Sequence, residues 1–139
     1  MKIIALQGKG NSGKTTTIKM LHDIMLNNNY SQIPNMRQNH GNDFLDIYIH
    51  PVSNLKVGIT SSGDTYDLVN DRLQDLVNEK CDVCICACRT FDRKPPGTVA
   101  ATKSFTGYKN VYLPKTYSST IAQEVIDNTS DANKLFNLI

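Results

Sequence analysis

Apolar and polar positions alternate along the chain in blocks of distinct period. Residues 2–7 (KIIALQ) form a short apolar run with β-branched side chains, which predicts a buried strand. Gly8 to Gly13 then read as a glycine-rich turn. From Thr15 to about Asn27, the positions Ile18, Leu21, Met25 and Leu26 recur at helical spacing, and Asn27-Asn28-Asn29 supplies a stop. Residues 30–43 are polar, hold Pro34 and Gly41, and read as a loop. Two β-rich runs follow, 44–50 and 55–60, joined by Pro51-Val52-Ser53-Asn54, which predicts a hairpin. Leu68, Val69, Leu73, Leu76 and Val77 place a second helix over 65–79. Residues 82–88 (DVCICAC) are apolar throughout, as expected of a strand covered on both faces. A basic loop spans Arg89–Gly97, a short helix 98–105 and a short strand 110–113. The closing helix covers 118–138, with Ser118 or Ser119 as cap and Asp127-Asn128 as a candidate break.

Alternation of strand, loop and helix predicts an α/β three-layer sandwich with a mostly parallel sheet and right-handed crossovers. The length of 139 residues suits a single domain, 1–139. Hydrophobic residues make up 40% and charged residues 20%, an ordinary globular balance that argues against disorder. No apolar run is long enough to span a bilayer, and the N-terminus lacks a leader pattern, so a cytoplasmic protein without membrane attachment is expected. Net charge is +2 with no basic block, so nothing signals nucleic-acid binding.

One motif carries chemistry. Gly8-Lys9-Gly10-Asn11-Ser12-Gly13-Lys14-Thr15 fits G-x-x-x-x-G-K-[ST] at every fixed position. Glycines let the backbone curl so that successive N–H groups converge on an anion. The helix that follows adds its positive end. Lys14 can reach the β- and γ-phosphates of a nucleoside triphosphate, and the Thr15 hydroxyl can meet Mg²⁺. Gly8 to Thr16 are therefore the candidate nucleotide-binding residues.

On these residues the chain resembles the P-loop NTPases, whose fold, Mg²⁺ and nucleotide dependence become expectations. The stretch GKGNSGKTTT is also similar to the deviant loop of the ParA/MinD/nitrogenase iron-protein group. That resemblance implies Lys9 acting on the nucleotide of a facing subunit, hence a homodimer. Read alone, Lys9 is a solvated loop lysine. Asn11 stands where that group has glycine, and the chain is shorter than its members.

A second acid should hold Mg²⁺, usually through water. The candidate is Asp64, after KVGITSSGD, on the expectation that strand 56–60 lies beside the first strand. Asp64 also suits a helix cap, and Asp67 is a weaker alternative. The D-x-x-G of GTPases reads Thr60-Ser61-Ser62-Gly63 here, and no N/T-K-x-D stretch occurs, which leaves ATP as the nucleotide. Arg89, Arg93 and Lys94 sit on the loop after a central strand, where ligands of α/β sheets bind. Arg89 and Arg93 are candidates for neutralising a transferred phosphoryl group. Gly97-Thr98 is a candidate second anion-binding helix start, and Arg37 a candidate anchor for an acceptor.

Cys81, Cys84, Cys86 and Cys88 fail as a zinc site. Same-face strand positions lie about 6.6 Å apart, too far for four sulfurs on one ion, so core packing is expected. His22, expected to be exposed, His40 and His50 have no sequence-visible partner. Three readings stay open: phosphoryl transfer from ATP to an unknown small-molecule acceptor or to water, a dimerising switch acting on a protein partner, and a nucleotide binder with negligible turnover.

Overall fold

The computed structural model describes residues 1–92 and 94–139. The elements follow the chain as β1 (Lys2–Gln7), α1 (Lys14–Asn27), β2 (Ser31–Gln32), β3 (Gln38–His40), β4 (Asp43–Ile49), β5 (Lys56–Thr60), α2 (Tyr66–Asn78), β6 (Val83–Cys88), α3 (Thr98–Lys103), β7 (Lys109–Pro114) and α4 (Ile121–Asn137).

All seven strands join one sheet, in the order β2-β4-β5-β6-β1-β7, with β3 also on β4. The pairs β5–β6, β6–β1 and β1–β7 are parallel, whereas β4 runs against β5, β2 and β3. The sheet is therefore mixed, which corrects the expectation of a mostly parallel one. The cause is local. A four-residue turn at 51–54 can only return the chain beside itself, so β4 and β5 are antiparallel. Residues 30–43, expected as a loop, add two short strands to the outer side of β4.

Helices cover both faces. Ile4 and Leu6 of β1 point to one face and meet Ile18, Leu21 and Met25 of α1 and Leu135 of α4. Ile3 and Ala5 point to the other and meet Val69, Leu73 and Leu76 of α2 and Ala101 of α3. Each fully buried Ile, Leu, Val or Met among them contributes about 1.5–3 kcal/mol.

Strand β6 lies between β1 and β5, so the expectation that 56–60 borders the first strand is overturned. The run of six buried residues in β6 suits that central place. Two capping expectations also change. Thr65, not Asp64, caps α2 by accepting from Leu68 N–H at 3.3 Å. Thr120, not Ser118 or Ser119, caps α4 by accepting from Gln123 N–H at 3.1 Å. Helix α4 runs unbroken through Asp127 and Asn128, because Asn128 is buried and its Oδ1 accepts from the Thr17 hydroxyl at 3.2 Å.

Candidate functional site

The Gly8–Thr15 loop joins the carboxyl end of β1 to the start of α1. Gly8 N–H donates to Cys88 O at 3.1 Å, which ties the loop to the end of β6. Gly13 caps α1 at φ 88°, in the left-handed region that glycine tolerates. A Cβ there would also stand 3.0 Å from Asn128 Oδ1. Lys9 N–H is taken by the Tyr117 hydroxyl at 3.1 Å, and Thr17 N–H by Gly13 O at 2.9 Å. Between these two, the amides of Gly10 to Thr16 bond no acceptor among the described residues.

The Lys14 ammonium folds back over the loop. It donates to Gly8 O at 3.0 Å and to Lys9 O at 2.6 Å. Burial, then the nearby Arg89 guanidinium, holds the Lys14 pKa below its ordinary value. An incoming anion would favour the charged ammonium and so oppose both effects.

Thr15 does not meet Asp64. Its hydroxyl donates to Asp43 Oδ1 at 3.3 Å, and the Ser61 hydroxyl donates to the same oxygen at 2.9 Å. Ser61 is itself fixed, since its Oγ accepts from Phe44 N–H at 3.0 Å and its N–H donates to Phe44 O. Sequence reasoning missed Asp43 by leaving it inside a loop. The hairpin register was the usable signal: Leu45 pairs with Thr60, so the next step brings residues 43 and 44 to Ser61.

Asp64 instead pairs with Arg89, Oδ1 to Nη2 at 3.3 Å. It still borders the cleft of about 490 Å³ that Lys14, Thr15, Asp43 and Ser61 line. Gly63 permits this convergence, because a Cβ on it would lie 2.6 Å from Ala87 Cβ and 2.8 Å from the Ala87 backbone. Arg89 reaches the loop, with Nη1 2.8 Å from where a Cβ on Gly10 would sit. Arg93 lies outside the described residues.

A second cleft, of about 350 Å³, opens beside the first and is lined by Tyr66, Phe91, Lys94 and Pro96, with Asp64 and Arg89 at the junction. The start of α3 offers no free anion site there. The Asp92 carboxylate already accepts from Val99 N–H at 3.0 Å and Ala100 N–H at 3.3 Å.

Other sequence candidates lie elsewhere. Arg37 pairs with the buried Asp46 at 3.3 Å and stacks on Phe44, so it is committed to holding β4. Lys9 is exposed, with its ammonium 5.0 Å from the centre of the Tyr117 ring. His22 is half-buried rather than exposed, its Nδ1 2.5 Å from the Tyr48 hydroxyl. All four cysteines are buried and unpaired, packed on the α2 face. Burial pushes the Cys88 thiol up to about 12, which leaves no reactive thiolate near the cleft.

Among the described residues, no group of three or more His, Cys, Asp or Glu is placed to hold a metal ion, and no helix is long and apolar enough to cross a membrane. Comparison of the chain with protein-family models, with curated proteins and with solved structures returns no significant match.

Proposed function

We propose that the chain is a P-loop nucleotide-binding enzyme that transfers or hydrolyses the γ-phosphoryl group of ATP with Mg²⁺. The observation that carries the reading is the Gly8–Thr15 loop itself. Its amides from Gly10 to Thr16 are unspent, and a buried ammonium, Lys14, lies over the same concavity. Such a loop suits a polyphosphate, whose oxygens accept from clustered N–H donors and an ammonium.

Each residue then has a task. The loop amides and Lys14 bind the phosphates and hold charge steady as the γ-group departs. The oxygens of Thr15 and Asp43 would hold Mg²⁺, which would supply charge neutralisation at the phosphates. Two protein oxygens are few for this ion, which suits a site completed by phosphate and water. Arg89 stands against Gly10 with its planar fork near the transferred group. The absence of a guanine-type N/T-K-x-D stretch leaves ATP as the nucleotide.

The test is nucleotide binding and phosphate release with ATP or GTP and Mg²⁺, for the wild type and Lys14→Ala. The expected result is ATP binding by the wild type and a fall in turnover of about 10²–10³-fold in the variant. Failure to bind either nucleotide overturns the reading.

One observation favours a second reading, an ATP-dependent homodimeric switch. Tyr117, 55% exposed, stands beside the exposed Lys9, and α4 also carries the exposed Ile121 and Val125, at 84% and 56%. Light scattering of the same samples decides. ATP-induced dimers that Lys9→Ala abolishes support the switch, and a monomer throughout removes it.

A further inference from the structure

The reading above gives the second cleft no task, apart from Arg89 on its wall. It opens at the carboxyl ends of β5 and β6, the end of the sheet where the phosphate loop also lies. Two features make it more than a surface dent. The side chain at the junction, Asp64, lines both this cleft and the one holding Lys14 and Thr15. The partner of Asp64, Arg89, lines the second cleft and also reaches Gly10 of the phosphate loop. A molecule seated here would present a group directly beside the phosphates.

The walls describe that molecule. Tyr66 and Phe91 contribute aromatic rings and Pro96 a flat apolar face, and Phe91 is 68% exposed. Tyr66 is half-buried against the core, so the exposed Phe91 ring is the face on which a planar ligand would stack. The charged groups cancel among the described residues: Arg89 and Lys94 against Asp64 and Asp92. Arg89 is paired with Asp64, and Asp92 is spent on the amides of α3. With the charges of its described walls balanced, the cleft offers no net positive field to a dianion, so a neutral ligand fits better. The volume of about 350 Å³ is at the small end for ligand sites.

Resting on the kinase reading above, we propose that this cleft seats the phosphoryl acceptor, a neutral alcohol carrying a flat ring, of the nucleoside class. Asp64 takes the proton of the attacking hydroxyl. The acceptor oxygen forms its bond to the γ-phosphorus as the bond from that phosphorus to the β,γ-bridging oxygen breaks. The electron pair leaves with ADP, and the proton rests on the Asp64 carboxylate. This gives Asp64 a catalytic role distinct from the metal-holding one expected from the sequence, a role that Asp43 fills.

The experiment incubates the wild type, Asp64→Asn and Phe91→Ala with Mg-ATP and each common ribonucleoside, deoxyribonucleoside and their monophosphates. ADP and phosphorylated nucleoside are quantified by chromatography, and ATP binding is measured separately. At least one nucleoside is expected to raise ADP formation at least about tenfold, with equimolar nucleoside phosphate. Asp64→Asn should lower kcat about 10²-fold or more with KM little changed, the signature of a lost general base. Phe91→Ala should raise KM about tenfold with kcat held, the signature of lost stacking. Melting curves verify that both variants, at exposed positions, remain folded. ATP bound and turned over with no nucleoside phosphorylated overturns this inference and leaves the phosphate-site reading standing. Phosphorylation that both substitutions leave intact, or nucleoside monophosphates accepted in place of nucleosides, overturns it as well. No ATP binding at all overturns both.

Discussion

Asp43 is the residue whose position changes the chemistry most. It starts a strand that runs against its neighbour, yet its carboxylate receives the hydroxyls of both Thr15 and Ser61. Asp64 lines the same cleft and is held by a guanidinium. The two acids should therefore separate in function. Asp43→Asn is expected to raise the Mg²⁺ concentration for half-maximal turnover about 10–100-fold, the usual cost of disturbing a metal-site carboxylate. Asp64→Asn is expected to leave that Mg²⁺ requirement within about twofold, since its carboxylate touches neither Thr15 nor Ser61. Magnesium titration of the two variants checks the split. At this scale the turn from Gly8 to Gly13 and the helix after it were legible, because both are local patterns. Asp43 was not legible in the same way. Its role depends on a partner 28 positions earlier in the chain.

At the scale of elements, the close approach of β5's exit to β6 depends on one missing side chain. Gly63 is buried against Ala87, with no room for a Cβ. Gly63→Ala should cost about 1–3 kcal/mol through overpacking, which lowers the melting temperature by about 3–10 °C in a chain of this size. Gly107 has open space where its Cβ would stand, so Gly107→Ala should stay within about 0.5 kcal/mol. Thermal melts of both variants test the comparison. Helical periodicity and the apolar run of β6 made the main helices and parallel strands readable. Their order in the sheet was not, because nothing in a strand's own residues names its neighbour. The cysteines show the same division. Their burial followed from three same-face positions on a strand. That they face α2 rather than α1 came only with the assembled layers.

Across the whole molecule, one buried ion pair ties the end of β7 to the last helix. Lys115 Nζ and Asp131 Oδ2 lie 3.1 Å apart, both side chains fully buried. Asp131 also accepts from the Thr116 amide and hydroxyl, each at 2.8 Å. Burial alone would raise the Asp131 pKa, but the two bonds from Thr116 and the Lys115 ammonium outweigh it and hold it below the ordinary 3.8. A carboxylate with a depressed folded pKa stabilises the fold above its unfolded value and loses that contribution as pH falls through the folded one. Acid unfolding of the wild type should therefore steepen below about pH 4. In Asp131→Asn this acid-dependent part should shrink, while stability at pH 7 falls by about 3–5 kcal/mol because Lys115 is left buried without its partner. Denaturant melts at pH 7 and pH 3 measure both. The layered α/β plan was readable from alternation, whereas the mixed sheet followed from a turn too short for a crossover.

The bond between Thr15 and Asp43 has a consequence for how the chain could be divided. A fragment ending before the β4–β5 hairpin would carry the whole Gly8–Thr15 signature and only half of the proposed site. It would lack Asp43, Ser61 and Arg89, and the β6 carbonyl that anchors Gly8. Possession of the motif and possession of the site are different properties, and in this molecule about eighty residues of chain separate them, from Gly8 to Arg89.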